Sequence, residues 1–98
     1  MTITRKQNGD NLEIALEGRL DTVTAPELET ELKQSLAGIK SLTFDFSKVE
    51  YVSSAGLRAL FEARKALYGK GSMKITHPNE IVMEVFEVTG FADLVKTE

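Results

Sequence analysis

The strongest constraint on the fold is a regular alternation of apolar and polar residues in two stretches of the chain. In the first, Leu12, Ile14 and Leu16 alternate with Glu13, Ala15 and Glu17; in the second, Leu42, Phe44 and Phe46 alternate with Thr43, Asp45 and Ser47. Strands covered by helices on both faces would instead be continuous apolar runs. The sequence therefore predicts a two-layer α/β fold, in which helices cover one face of a mixed sheet of four to five strands and the other face is exposed to solvent.

Three segments have the apolar spacing of helices that bury one side. Leu28, Leu32 and Leu36 recur every fourth residue after Thr24-Ala25-Pro26-Glu27, which matches a capping box. A second helix is predicted up to Gly69 from the spacing of Leu57, Leu60, Phe61, Leu67 and Tyr68, of which Leu57, Leu60 and Phe61 are expected in the core. Pro78 predicts the first turn of a third helix that ends at Gly90, and a short final element is expected from Ala92 to Val95.

Composition limits the size and class of the protein. With 98 residues, of which 42% are hydrophobic, the chain is long enough for one core, and we expect a single domain over residues 1–98. The formal charge of −3 disfavours a nucleic acid as partner. No apolar run approaches the about 20 residues that span a bilayer, and the first residues lack the apolar core of a signal peptide. We therefore expect a cytoplasmic protein without membrane insertion.

The same composition argues against catalysis and metal binding. The chain has no cysteine and a single histidine, His77, which excludes disulfides, thiol catalysis and a multi-histidine metal site. It also lacks a Gly-x-Ser-x-Gly turn for a serine hydrolase and a glycine-rich phosphate loop. Asp45 and Glu50 are close enough in sequence to be considered as paired carboxylates, but solvent-facing positions fit them better. We expect no enzymatic activity, no cofactor and no metal.

Two serines stand where the second alternating stretch meets the second helix, and function is expected at that junction. Ser54 is placed either to cap the helix or to carry an anion, since the free N–H groups of a helix start suit negative charge. Ser53 is expected to end the strand. Gly56 in the first turn permits close approach either by a partner or by the sheet. Arg58 is either balanced by a nearby anion or simply exposed to solvent.

Three blocks of sequence together resemble the anti-sigma factor antagonist family, whose fold is the STAS domain. The first is Leu16-Glu17-Gly18-Arg19-Leu20-Asp21 with Thr24-Ala25 and Leu28; the second runs from Asp45-Phe46-Ser47 to Ser54-Ala55-Gly56-Leu57; the third is Val85-Phe86-Glu87-Val88-Thr89-Gly90-Phe91. Their order and spacing are similar to those of a stand-alone member and cover most of the chain. The resemblance implies the STAS fold and a binding function rather than catalysis.

For function, the resemblance implies a protein-binding switch. Members bind an anti-sigma factor that is also a serine kinase and thereby free the sigma factor; the kinase phosphorylates the antagonist at a helix start, and a serine phosphatase resets it. The resemblance also places the loop before the first helix beside that helix start. The partner-binding candidates are Asp21, Thr22, Ser53, Ser54, Ala55, Gly56 and Arg58. For Asp21 the alternative is a turn residue that binds its own backbone.

The chain departs from the family at the phosphorylated position. The family motif is Asp-Ser-Ser-Gly with the second serine as acceptor, whereas this chain has Ser53-Ser54-Ala55-Gly56. Either Ser54 or Ser53 accepts the phosphoryl group instead, or the protein binds its partner without phosphorylation. The last interpretation corresponds to a constitutive adaptor, such as the STAS subunit of a bacterial lipid-transport ATPase, in which Ala55 is a permanent contact.

Overall fold

The computed structural model describes residues 1–94, which form one mixed sheet with helices packed on one face. The strands are β1 (Thr2–Asn8), β2 (Asn11–Leu20), β3 (Ser41–Val52) and β4 (Ser72–Thr76). The helices are α1 (Ala25–Ser35), α2 (Ser54–Leu67) and α3 (Glu80–Thr89), and a 3₁₀ turn follows at Ala92–Leu94. The predicted α/β fold is confirmed, with four strands in the described part. Val95, the predicted end of the last element, lies outside the described residues.

The strands lie side by side in the order β1-β2-β3-β4. β1 and β2 are antiparallel and are joined by a hairpin at Gly9-Asp10, where Gly9 has a φ of +65°. β2 pairs with β3, and β3 with β4, in parallel. Parallel neighbours need a crossover, and α1 and α2 provide the two crossovers. Both helices therefore begin at the same edge of the sheet, where β2 and β3 end.

The buried face of the sheet is the one that the alternation predicts. Six residues of β2 and β3 point toward the helices and are at most 2% exposed: Leu12, Ile14, Leu16, Leu42, Phe44 and Phe46. Leu28 and Leu60 belong to the same buried cluster from the helical side. On the opposite face Glu13 is exposed and Asp45 is half-buried. The core therefore lies in one layer between the sheet and the helices.

Helix α2 buries small residues where larger ones were expected. Its buried side consists of Gly56, Ala59, Leu60, Ala63 and Leu67. Phe61 is 53% exposed and Tyr68 is 86% exposed, so the prediction that Phe61 lies in the core is wrong. Successive positions on a helix are about 100° apart, and the small side chains turn toward the sheet while Phe61 turns outward. There its ring meets Phe91 edge-on, with 6.4 Å between centroids.

The predicted starts of α1 and α3 are wrong in detail. Thr24 precedes α1 without a side-chain bond to the helix, so the predicted capping box is absent. Its hydroxyl instead donates to Arg19 O at 2.6 Å, because the loop folds back on the end of β2. Pro78 lies before α3 rather than in its first turn. Asn79 caps α3 by accepting a first-turn N–H at 2.8 Å.

The predicted end of α3 is confirmed. Gly90 has a φ of +85°, a left-handed conformation that glycine adopts without steric cost. Phe91 N then donates to Phe86 O at 2.9 Å, and the two rings lie 6.1 Å apart between centroids. Phe91 is 6% exposed, so this contact closes the core at the end of the helix.

Candidate functional site

The two stretches that the sequence singles out meet at one edge of the sheet. β2 ends at Leu20 and β3 at Val52, and these residues are register partners in the parallel pair. Ser53 N donates to Leu20 O at 2.8 Å, which joins the start of α2 to the end of β2. Loops at the carboxyl ends of parallel strands commonly hold functional residues in α/β folds. The structure thus brings the loop 21–24 beside residues 53–56.

Ser53, not Ser54, caps helix α2. Ser53 is extended, with φ −90° and ψ 176°, and its Oγ accepts a hydrogen bond from Gly56 N at 3.3 Å. The expectation that Ser53 ends the strand is therefore wrong by one residue, and of the two roles considered for Ser54 the structure gives the cap to Ser53. The Ser53 side chain is half-buried and engaged with the helix backbone.

Ser54 and Ala55 differ sharply in exposure. Ser54 is the first residue of α2, is exposed, and makes no side-chain hydrogen bond to another residue of the described part. Ala55 is partly buried and packs against the core. The free hydroxyl is therefore one position before the residue that aligns with the family's phosphoacceptor, and the aligned residue faces inward.

Gly56 is surrounded closely by the sheet. A Cβ atom on Gly56 would lie 2.7 Å from Leu20 Cγ and 2.8 Å from Leu20 O, both shorter than any ordinary contact. Gly56 is also buried. Of the two explanations for this glycine, packing against the sheet is sufficient, and its role at the site is to position the first turn of α2.

Asp21 shapes the loop that precedes α1. Its Oδ1 accepts from Thr24 N at 3.1 Å and from Val23 N at 3.0 Å. The backbone bond from Thr24 is the first cause that lowers the pKa of Asp21 below its ordinary value, and Arg19, with Nε 3.7 Å from Oδ2, acts in the same direction. The contacts support the turn interpretation of Asp21. Thr22 and Val23 are left exposed at the tip of the loop.

Sequence reasoning did not single out Val23, Arg19 or Tyr51, which also lie at this edge. Val23 is 80% exposed and gives the loop an apolar tip. The Arg19 guanidinium lies 4.9 Å from the centroid of the Tyr51 ring, across a register pair of β2 and β3. Such a cation–π contact fixes both side chains relative to the sheet. The signal in the sequence was weak: one valine in the polar run 21–24 and one tyrosine close to the end of a strand.

Arg58 lies one helical turn after Ser54, so the two side chains share a side of α2. It is exposed and forms no ion pair with another described residue. The structure therefore supports the solvent-exposed interpretation of Arg58. The start of α2 combines a free hydroxyl, first-turn N–H groups and an unpaired guanidinium in one place, an arrangement that suits an anion.

Residues 1–94 hold no catalytic set around these serines. The single histidine, His77, is near Asp45, with 3.9 Å between Nδ1 and Oδ1. Asp45 lies eight residues before Ser53 along β3, which corresponds to about 25 Å of extended backbone. A serine nucleophile needs a base within about 3 Å. In the same described range, no group of three or more potential ligands could hold a metal ion. None of its helices combines the length and the apolar composition needed to cross a membrane.

The sequence of the chain is similar to those of known proteins. The family model of the STAS domain matches residues 2–98. BtrV of Bordetella bronchiseptica, a candidate anti-sigma factor antagonist, is 30% identical over 96 residues, which make up 96% of this chain and 83% of that protein. The anti-sigma-B factor antagonist of Bacillus subtilis is 26% identical over 91 residues, 92% of this chain and 84% of that protein.

Solved structures of a Bacillus cell fate determinant, the anti-sigma factor antagonist SpoIIAA, share the fold. The unphosphorylated form superposes with a TM-score of 0.90 at 15% identity and covers 99% of this chain and 88% of its own. The phosphorylated form superposes with a TM-score of 0.81 at 14% identity, over 99% of this chain and 91% of its own. At such identity the likeness concerns the fold alone.

Proposed function

The chain belongs to the STAS-domain family, as its sequence predicts, and we propose that it acts as an anti-sigma factor antagonist. In this proposal the loop 21–24 and the start of α2 bind an anti-sigma factor, which then releases its sigma factor. Two relatives named for this activity match nearly the whole chain. Since sigma factors act on RNA polymerase, the proposed place of action is the cytoplasm.

The observation that most supports this surface is the group of exposed side chains at the edge where α1 and α2 begin. Val23 supplies an exposed apolar side chain, while Thr22, Ser54 and Arg58 supply exposed polar ones at the same edge of the sheet. Protein interfaces typically combine an apolar centre with a polar rim. Asp21 and Gly56 hold the two backbone segments in place by hydrogen bonds and by packing. The patch is therefore preorganised for a protein partner.

Ser54 is the proposed phosphoacceptor, in preference to Ser53. A kinase must reach the hydroxyl, and only the Ser54 hydroxyl is both exposed and free of bonds to the described residues. Phosphorylation of Ser53 would attach the bulky phosphoryl group to the same oxygen that accepts the cap bond of α2, and would disturb that cap. The proposed partners are accordingly an anti-sigma factor that is also a serine kinase, and a serine phosphatase that reverses its action.

A phosphate on Ser54 would change binding without unfolding the protein. It adds a charge of about −1.5 to −2 beside the positive end of the α2 dipole, where negative charge is stabilising. Arg58, one turn further on, is free to pair with it. In an interface the same charge must be desolvated and would repel carboxylates of the partner. Release of the partner is the expected consequence.

The proposal describes a binding protein rather than an enzyme. Ser54 lacks a nearby base in the described structure, so the hydroxyl is not activated as a nucleophile and must be modified by another protein. The relatives named above are regulatory proteins, which supports the same view.

Affinity purification of the tagged chain from its source cells tests this function. Mass spectrometry should identify an anti-sigma factor of the ATPase-kinase type with the unmodified chain, and phosphate on Ser54. The variant Val23→Ser should lose that protein, whereas the matched control Tyr68→Ser, which removes an equally exposed apolar side chain from the far end of α2, should retain it. Recovery of a transport ATPase with no phosphate on either serine would contradict the proposal and support a constitutive adaptor.

A further inference from the structure

Helix α3 exposes apolar side chains that the described fold does not use. Six of its ten residues are large and apolar, yet only Val82 and Phe86 are buried. Ile81 is 59% exposed and Val88 is 87% exposed, and Val85 between them is half-buried. Isolated exposed apolar residues are common. These three, however, have the spacing i, i+4, i+7 and form one continuous line, the apolar stripe.

The apolar stripe weakens the isolated helix. Isoleucine and valine have lower helix propensity than alanine, lysine or glutamate, because χ1 freedom is lost against the preceding turn. At buried positions that loss is offset by the burial of apolar surface. Ile81 and Val88 are mostly exposed and gain little from burial within this chain. Their side chains therefore fit a surface that becomes covered when another molecule binds.

A second line of residues runs beside the apolar stripe. Glu80, Glu84 and Glu87 have the same i, i+4, i+7 spacing one position earlier, and all three are exposed. One position corresponds to about 100° around the helix, so this acidic stripe flanks the apolar one. α3 contains no lysine or arginine, and none of the three glutamates forms an ion pair with another described residue.

The acidic stripe decides which occupant fits. A second copy packed through the same helix would place no cation beside either acidic stripe, because α3 has no lysine or arginine. In an antiparallel pair the two acidic stripes would also lie side by side, and like charges in an interface are unfavourable. An anionic membrane surface would be repelled for the same reason. A protein surface with apolar side chains flanked by lysine and arginine would satisfy both stripes at once.

We propose that α3 is a second docking surface, which binds a basic, apolar protein segment such as an amphipathic helix with lysines beside its apolar face. The two stripes lie on a different helix from the start of α2. Asn79 ties the beginning of α3 to Val49 O and Glu50 O of β3, and Phe91 ties its end to Phe61. One face of a ten-residue helix offers a small contact area, so we expect a complex of the transient class.

The test uses the full chain and two synthetic helical peptides of the same length with leucines at i, i+4 and i+7. One peptide carries lysines beside the leucines, and the other carries glutamates at those positions. Fluorescence anisotropy at low and at moderate salt should show at least tenfold tighter binding of the lysine peptide. Ile81→Ser with Val88→Ser should weaken that binding at least tenfold, while melting temperature stays close to that of the wild type because both side chains are exposed.

Charge reversal provides the decisive variant. Glu84→Lys with Glu87→Lys should exchange the preference, so that the glutamate peptide binds more tightly. Two controls, Tyr68→Ser on α2 and Ser54→Asp at its start, should leave peptide binding within twofold of wild type; the second separates this surface from the one in the proposed function. Equal affinity for both peptides would overturn the proposal. So would wild-type self-association that Val88→Ser abolishes, or binding to vesicles of anionic lipid.

Discussion

The starts of α2 and α3 are held in different ways. Each helix follows an extended residue whose side chain accepts a first-turn N–H, Ser53 at 3.3 Å for α2 and Asn79 at 2.8 Å for α3. Asn79 also donates to two carbonyl oxygens of β3, at 3.1 and 3.3 Å, so its amide is fully engaged. The start of α2 is attached instead by the packing of Gly56 against Leu20 and by the backbone bond from Ser53 N to Leu20 O at 2.8 Å, without a second side-chain bond.

This difference separates a structural helix start from the one that we propose to be functional. At α3 the polar groups of the cap are used for attachment to the sheet. At α2 the packing of Gly56 and a backbone hydrogen bond provide the attachment, and the Ser54 hydroxyl remains free of bonds to the described residues. A helix start that is stabilised by packing and backbone bonds can accept a phosphate or a partner without losing the interactions that attach it to the sheet. The following predictions test that contrast.

The largest effect is expected for Gly56→Ala. The new Cβ would lie 2.7 Å from Leu20 Cγ and 2.8 Å from Leu20 O. The carbonyl oxygen is part of the backbone of β2, so it cannot move away without a shift of the strand. Overpacking of this kind costs about 1–3 kcal/mol, and alanine regains up to about 1 kcal/mol of helix propensity. We expect a net loss of about 2 kcal/mol in urea unfolding. Ser54→Ala, in the same turn, is the control and should change the unfolding free energy by less than about 0.5 kcal/mol.

Asn79→Ala should be the next most damaging change. It removes the cap of α3 and both bonds to β3, for an expected loss of about 1.5–2 kcal/mol in the free energy of unfolding. Asn79→Asp keeps the capping oxygen and loses the donor, so its unfolding free energy should fall between those of the wild type and the alanine variant. If the aspartate variant were as stable as the wild type, the attachment to β3 would contribute nothing.

Ser53→Ala should cost less than Asn79→Ala. It removes one cap bond of 3.3 Å, a long distance for a hydrogen bond, and leaves the packing of Gly56 intact. We expect a loss of about 0.5–1 kcal/mol in urea unfolding. A loss equal to that of Asn79→Ala would show that both helix starts depend on their caps to the same degree, and the contrast would fail.

The smallest effect concerns pH. The pKa of Asp21 is lowered mainly by the N–H of Thr24, and that of Asp45 mainly by the N–H of Ser47, from an ordinary value of 3.8. Because the folded pKa lies below the unfolded one, each carboxylate stabilises the fold above pH about 4, and the contribution is lost as pH falls through the folded pKa. Melting temperatures between pH 7 and 2 should fall less steeply for Asp21→Asn than for the wild type. Identical slopes would contradict the role of the Asp21 carboxylate.

The sequence predicted the parts of the fold that depend on local periodicity. Alternation in β2 and β3 identified the buried face, and Gly90 identified the end of α3, because each signal is contained in a few consecutive residues. Phe61 was misplaced because it lies one position, about 100°, beyond the buried Leu60, and the width of the buried side depends on how closely α2 approaches the sheet. That distance is set by Ala59 and Ala63, which are buried between α2 and the sheet. The sequence shows that both side chains are small, but it does not show that they face the sheet.

The candidate site was predictable in position but not in detail. The change from strand spacing to helix spacing predicts the junction of β3 and α2. The family resemblance predicts that the loop 21–24 lies beside this junction. Which of Ser53 and Ser54 caps α2 depends on the residue at which β3 ends, and the alternation of apolar and polar residues locates that end only approximately. The contact of Gly56 with Leu20 joins the first turn of α2 to the end of β2, two segments that are distant in sequence, so no local signal reveals it.

The most direct test of the central claim is calorimetric titration of the recovered anti-sigma factor with the wild-type chain, Ser54→Ala and Ser54→Asp. The alanine variant should bind within about twofold of wild type. The aspartate variant should bind at least about tenfold more weakly, because a charge must be desolvated in the interface, while its melting temperature stays within about 2 °C since a carboxylate suits the first turn of a helix. Equal affinity of the aspartate variant and the wild type would contradict the claim that the start of α2 is the binding and switching surface.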